Sequence, residues 1–352
     1  MKILLVGAGA SYSTKDVENG YRDALLAAGH DVGLYALDNR IAISTDYLWY
    51  VWRKAGKPPD KPTFPEIVYH ASSAILERAL RHEPDWVVVV SGMYVHPDWL
   101  VLLRRAGIRT AILFTESPYD DVEQARVAPF CDVCFTNERS SVAYLRHANR
   151  RTHYLAHAYD PARHHPGADG DPDLSAHDVV FVGTGFAERC ETLASVDWRG
   201  IDLGLYGQWP LLAPRGRLRR YVRGKVVPNE VAAGLYRRAS VGLNLYRTSM
   251  GFGKDAPRVG NAESLNPRAL ELAACGVFTL SDYRAEVGEV FGDAVPTFRT
   301  PDELGELVRY YLAHEDERRE RAAAMPACVA GHTYRERAEQ LVQMLDQTRR
   351  LL

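Results

Sequence analysis

Glu263 and Glu271 stand eight positions apart in the run Glu263-Ser264-Leu265-Asn266-Pro267-Arg268-Ala269-Leu270-Glu271, which continues as Leu272-Ala273-Ala274-Cys275-Gly276. Pro267 suits the first turn of a helix, where its missing N–H costs nothing. Gly276 closes that helix, and Val277-Phe278-Thr279-Leu280 reads as a buried strand. Glu263 is therefore expected in the loop before a helix N-terminus, and Glu271 about one turn inside the helix. Free N–H groups and the positive dipole end make such a terminus a seat for a diphosphate. A carboxylate beside it can accept hydrogen bonds from sugar or ribose hydroxyls. The combination suits a nucleotide-sugar pocket. The plainer alternative is a surface glutamate followed by one that caps a helix.

Positioning such a pair takes a sizeable frame, and 352 residues suffice for two domains with separate cores. The apolar and charged fractions are those of a globular protein, and a net charge of −2 argues against a globally electrostatic nucleic-acid binder. Five irregularly spaced cysteines fit a reducing cytoplasm. Cys131 and Cys134 form a C-x-x-C on an expected strand, where residues three apart face opposite sides, so both read as buried structural thiols. The opening Met1–Val6 is too short for a signal sequence, and no apolar run reaches membrane-spanning length. The expectation is a cytoplasmic protein without membrane insertion.

From the start of the chain, the pattern strand (2–6), glycine turn (Gly7-Ala8-Gly9), helix (17–28) and strand (31–37) is a parallel βαβ unit. Asp38, expected at the end of that second strand, sits where a dinucleotide-binding acid would. Tyr12, however, occupies the third glycine position of that fingerprint and weakens an NAD reading. The aromatic and proline-rich stretch 43–65 reads as a loop packed on the core, with an acceptor-lining role as the alternative. Strands follow at Trp86–Val90, Thr110–Phe114, Val133–Thr136 and Thr152–Leu155. Ligands of open parallel sheets bind beyond strand C-termini, which groups Gly9, Ser91, Glu116 and Asn137. Residues 160–177 read as a linker, with His164 and His165 solvated.

A second βα series begins at Asp178–Val182 with the turn Gly183-Thr184-Gly185 and a helix opened by Glu188-Arg189. Asp202–Tyr206 is its next strand and leads to Gln208 and Trp209. The amide and aromatic after that strand, Gln208 and Trp209, could flank a nucleotide base or could equally be packing. Val241–Arg247 is a further strand with a polar tip, and Arg247 at its end and Lys254 beyond it are cations able to neutralise a diphosphate. The arginine-rich run 215–225 reads as a solvated surface, with a polyanionic acceptor as the minority reading.

The segment Glu263–Glu271 resembles the Glu-x7-Glu motif of retaining glycosyltransferases of the two-domain GT-B fold. Ser264–Gly276 and its flanks are similar to the spore-maturation (CgeB-type) branch of group 1 glycosyltransferases. The likeness extends through Thr115–Tyr119, Val133–Ser141, Tyr154–Pro161, Val241–Arg247 and His332-Thr333-Tyr334. It is best over 178–338, whereas residues 1–84 match only in pattern. One departure is Leu265-Asn266-Pro267-Arg268 in place of a Gly-rich loop: Pro267 removes a backbone donor, and Arg268 can offer a side-chain donor instead.

The resemblance implies an α/β GT-B fold with two Rossmann-like parallel-sheet domains facing across a cleft. Residues 1–158 would form the acceptor-side domain, 159–177 a linker, 178–335 the nucleotide-sugar domain and 336–352 a terminal helix crossing back to the first domain. Glu263 would face the donor sugar, assisted by Arg189 and Lys254 at the departing diphosphate. Glu271, Arg268, Asn266, Leu265, Gly183, Arg247, Tyr206 and Gln208 would hold the nucleotide, and Gly9, Ser11, Glu116 and His157 the acceptor. The expected co-substrate is a UDP- or GDP-type sugar, with no tightly bound cofactor and no metal. The acceptor would be a hydroxyl on a saccharide, a small molecule or, through 215–225, a modified DNA base. Retention of anomeric configuration is implied. The competing readings are a nucleotide-sugar epimerase and a non-catalytic nucleotide-sugar-binding protein.

Overall fold

The computed structural model describes all residues except 10, 11, 168–173, 225 and 352, and the side chains of residues 12 and 13. The chain divides into two compact units, Met1–Ala156 with Tyr334–Leu352, and His157–Thr333. Each unit is built on a six-stranded, wholly parallel sheet.

The first unit runs β1 (Lys2–Val6), α1 (Tyr12–Ala27), β2 (Asp31–Tyr35), α2 (Leu37–Lys54), α3 (Phe64–His82), β3 (Trp86–Val90), α4 (Pro97–Arg105), β4 (Thr110–Phe114), α5 (Asp121–Val127), β5 (Val133–Thr136), α6 (Ser141–Ala148) and β6 (Thr152–Tyr154). Its strand order is β2-β1-β3-β4-β5-β6. β3 and β4 are buried along their whole length, as befits parallel strands covered on both faces. The C-terminal helix Tyr334–Leu351 returns to this unit and packs on α1. Gly20 permits that approach, because a Cβ there would lie 2.3 Å from the Tyr334 ring.

The stretch expected to be a loop is largely α2, which buries Leu37, Ile41 and Ser44 at helical spacing. Its aromatic residues mask that period, and its prolines begin only at Pro58, beyond the helix end. Asp38 accordingly lies in the first turn of α2 rather than at a strand end. The Gly7–Gly9 turn is filled from within: the buried Glu18 carboxylate accepts the Ala8 N–H (3.1 Å) and pairs with Lys15 (2.8 Å), which also reaches Asp38 (3.0 Å). A carboxylate in that place opposes a phosphate.

The second unit runs β7 (His177–Val182), α7 (Ala187–Ser195), β8 (Leu203–Tyr206), β9 (Val222–Gly224), α8 (Asn229–Arg237), β10 (Ala239–Asn244), α9 (Pro267–Ala274), β11 (Thr279–Asp282), α10 (Ala285–Phe291), β12 (Thr297–Phe298), α11 (Pro301–Ala313) and α12 (Glu315–Cys328). Its strand order is β12-β11-β10-β7-β8-β9. Phe181, Leu205, Leu243, Phe278 and Leu280 fill the core beneath α7 and α11. His164, expected to be solvated, is buried, and neither ring nitrogen has a hydrogen-bond partner among the described residues. Cys131 and Cys134 are buried free thiols, and burial drives the Cys134 pKa well above its ordinary value. Among the described residues, no helix is long and apolar enough to cross a membrane.

Candidate active site

The candidate residues of the second unit gather at the C-terminal ends of β7, β8, β10 and β11, where open parallel sheets place their ligands. Asn266 caps α9, its side chain accepting the Ala269 N–H at 3.0 Å, and Pro267 occupies the first helical position. Glu271 lies one turn inside the helix, half-buried, and its carboxylate makes no hydrogen bond or ion pair with a described residue. Glu263 lies in the exposed loop before the cap.

The helix terminus offers fewer amides than the sequence suggests. Pro267 has no N–H, Asn266 takes that of Ala269, and the buried Glu286 carboxylate takes that of Leu265 at 2.6 Å. Positive charge at the site therefore rests mainly on side chains. Arg268 donates from Nε to Val182 O (2.7 Å) and from Nη1 to Leu245 O (3.2 Å). Arg189 is buried and donates to the same Leu245 O (3.0 Å) and to Thr184 O (2.9 Å). Two guanidinium groups thus converge on one carbonyl at the end of β10. Both lie over the Phe181 ring, at 4.6 Å for Arg268 and 5.4 Å for Arg189. Gly183 makes room for Arg268, since a Cβ there would lie 2.3 Å from Nη2. Gly207 in turn makes room for Gly183, its own Cβ position falling 2.3 Å from Gly183 O at a φ of +119°.

Between β10 and α9 the chain forms a hairpin-like excursion. Ser249 bridges Arg258, and the amides of Met250 and Val259 bond across at 2.8 Å. Glu188 of α7 pins its base by accepting from Thr248 N (2.7 Å), Ser249 N and Ser249 Oγ. Burial raises the Glu188 pKa, but these bonds, led by that from Ser249, outweigh it and hold the carboxyl below its usual range. Arg258 reaches both carboxylate oxygens of Glu191 from Nη2 at 2.8 Å, a surface ion pair. Phe252 stacks on Phe186, and the exposed Lys254 lies two residues further along the excursion. Arg247 sits at the base, over Phe186 at 4.6 Å.

The segment after β11 closes the arrangement, and the sequence reading gave it no role. Arg284 is buried against the Tyr246 ring (3.8 Å) and donates to Ser264 O (2.7 Å) and Arg247 O (3.4 Å), joining both ends of the excursion. Glu286 donates its backbone N–H to Glu263 O at 3.1 Å. Asp282, half-buried at the end of β11, accepts the Tyr246 N–H on both oxygens. Burial lifts its pKa to about 7 despite that bond and the nearby Arg284, Arg189 and Arg268. The signal in the sequence is three charged residues, Asp282, Arg284 and Glu286, at and just beyond the end of an apolar strand.

Other candidates fall elsewhere. Tyr206 is buried with its hydroxyl bonded to His177 Nε2 at 2.8 Å, so that group is already engaged. Gln208 is exposed and anchors the Gly185 N–H through its carbonyl. In the first unit the Tyr94 ring lies over Gly9. Glu116 follows β4 half-buried, its carbonyl accepting the Tyr119 amide. Ser11 lies outside the described residues, and His157 opens the second unit rather than closing the first. Arg215, Arg217, Arg219 and Arg220 are exposed, Arg223 pairs with Asp202 at 3.0 Å, and Lys225 lies outside the described residues. Among the described residues no cluster of three or more potential ligands could hold a metal ion.

Residues 188–343 match a family described as glycosyl transferase-like. The chain is 24% identical over 248 residues to the spore protein CgeB of Bacillus subtilis (strain 168), covering 69% of this chain and 76% of that one. Among solved structures it is similar to a sucrose-phosphate synthase from Thermosynechococcus elongatus, with a TM-score of 0.68, 13% identity and full coverage of both chains. It is also similar to Anabaena HepE in complex with UDP-glucose, with a TM-score of 0.62, 12% identity and 99% and 100% coverage of the two chains. These structural likenesses show the GT-B fold.

Proposed function

We propose that this chain, a group 1 glycosyltransferase of the CgeB type, moves a glycosyl unit from a UDP- or GDP-type sugar to a hydroxyl acceptor with retention of configuration. The observation that carries the reading is the convergence of Arg189 and Arg268 on Leu245 O beside the helix that bears Glu271. Arg268 beside the Gly183 turn and the exposed Lys254 on the excursion give the strand ends cationic side chains suited to a diphosphate, and the HepE structure holds UDP-glucose. In this reading Arg268 and Lys254 meet the diphosphate, while the buried Arg189 braces the loops around it. Glu271 accepts from the ribose hydroxyls, and Glu263 faces the sugar.

The bond from the anomeric carbon to the diphosphate oxygen breaks, and the acceptor oxygen bonds to the same face of that carbon. The acceptor proton passes to the departing phosphate oxygen. Side-chain cations stabilise the charge developing there, so this reading needs no metal ion. The reaction is proposed to run in the cytoplasm.

The test is incubation with UDP- and GDP-sugars, with and without saccharide and small-molecule hydroxyl acceptors. Nucleoside diphosphate release and the anomeric proton resonance would be followed. We expect release that depends on the acceptor and a product with the donor's configuration. Donor interconversion without acceptor dependence would instead establish an epimerase, and absence of turnover with every donor would count against catalysis.

A further inference from the structure

We propose that the solvent-facing side of α2 docks on the surface of an anionic phospholipid bilayer. One face of this helix packs inward through Leu37, Ile41 and Ser44. The other presents Ile43, Tyr47, Tyr50 and Val51, which are 56, 52, 52 and 42% exposed. Their spacing of four, three and one residues sets them on a single stripe of the helix. Tyrosine suits the water–lipid boundary because its ring is apolar and its hydroxyl stays wet.

Cations accompany the stripe. Arg40 and Lys54 fall on it at helical spacing, and Arg53, Lys57 and Lys61 lie at or beyond the helix end. All five are exposed, and none forms an ion pair with a described residue. Only Asp46 and Asp60 oppose them between residues 40 and 61. The Trp52 indole donates to Pro58 O at 2.9 Å, which holds the segment bearing Lys57 against the helix end. An apolar stripe bordered by cations that have no acidic partner among the described residues is complementary to a negatively charged lipid surface. A second copy fits less well. Antiparallel pairing of two such helices about Tyr47 would set Arg40 of one copy against Lys54 of the other, cation against cation.

The experiment is co-sedimentation of the full chain with vesicles of phosphatidylcholine alone and of equimolar phosphatidylcholine and phosphatidylglycerol. Binding is expected on the mixed vesicles, at least tenfold weaker on phosphatidylcholine alone, and reduced by raised salt. Tyr47→Ser with Tyr50→Ser, and separately Arg53→Glu with Lys54→Glu, should each lower it at least tenfold. Tyr144→Ser, an exposed tyrosine elsewhere in the same unit, should leave it unchanged. The proposal is overturned if the mixed vesicles fail to bind the native chain, or if the α2 variants bind as well as the native chain. A concentration-dependent dimer abolished by Tyr47→Ser with Tyr50→Ser would also overturn it, assigning the face to a second copy. None of these outcomes bears on nucleotide binding.

Discussion

Arg284→Ala is expected to destabilise the second unit by about 3–5 kcal/mol and to abolish nucleotide binding. The buried guanidinium donates to Ser264 O and Arg247 O and lies against the Tyr246 ring. Each hydrogen bond from a charged group contributes roughly 1.5–3 kcal/mol, and removing it leaves the carbonyl with a desolvation cost. The two carbonyls belong to opposite ends of the excursion that carries Lys254 and Glu263. Their release would therefore disorder the site as well as weaken the fold. Lysine has a single ammonium in place of a planar fork, so Arg284→Lys should recover only part of the loss. Denaturant unfolding of the three proteins checks this. Stability of Arg284→Ala within about 0.5 kcal/mol of native, the range of ordinary surface changes, would show that the clamp contributes nothing.

Asp282→Asn should remove a large pH dependence of stability. Burial raises the folded-state pKa of Asp282 from 3.8 to about 7. Between those values the folded state binds more protons than the unfolded state, so the slope of unfolding free energy against pH is negative. The favourable contribution is complete below about pH 4, falls as pH rises, and is gone above about pH 7. A shift of about three units corresponds to a change on the order of 4 kcal/mol across that window. Asparagine keeps an acceptor for the Tyr246 N–H without the ionisable proton. The variant should therefore gain stability relative to native as pH rises from 5 to about 8. Parallel stability curves for the two proteins would refute the assignment.

Much of the frame was legible in the sequence because parallel strands buried on both faces write continuous apolar runs. Trp86–Val90 and Asp178–Val182 announce themselves that way, and Pro267 and Gly276 mark the ends of α9. The region of α2 was hidden because its exposed face carries tyrosines and valine, which obscure the polar half of a helical period. Glu263 and Glu271 were singled out by their spacing. Arg284 and Glu286 were not, because their work is to bond backbone groups of Leu265, Ser264 and Glu263 about twenty residues away, and backbone partners leave no mark in side-chain type. The same limit applies to Asn266 and Glu286 at the α9 terminus. Their residue types are visible in sequence, but the amides they consume are not.

The most direct test of a nucleotide-sugar site on the second unit is a thermal-shift titration with UDP and GDP, comparing native protein with Glu271→Ala. A nucleotide that binds the folded state raises the melting temperature by mass action. The account predicts that one diphosphate stabilises the native chain. It also predicts that loss of the Glu271 carboxylate, worth about 1.5–3 kcal/mol as a charged acceptor, reduces affinity at least tenfold in a protein that remains folded. Equal shifts for the two proteins, or no shift of the folded native chain by either nucleotide, would contradict it.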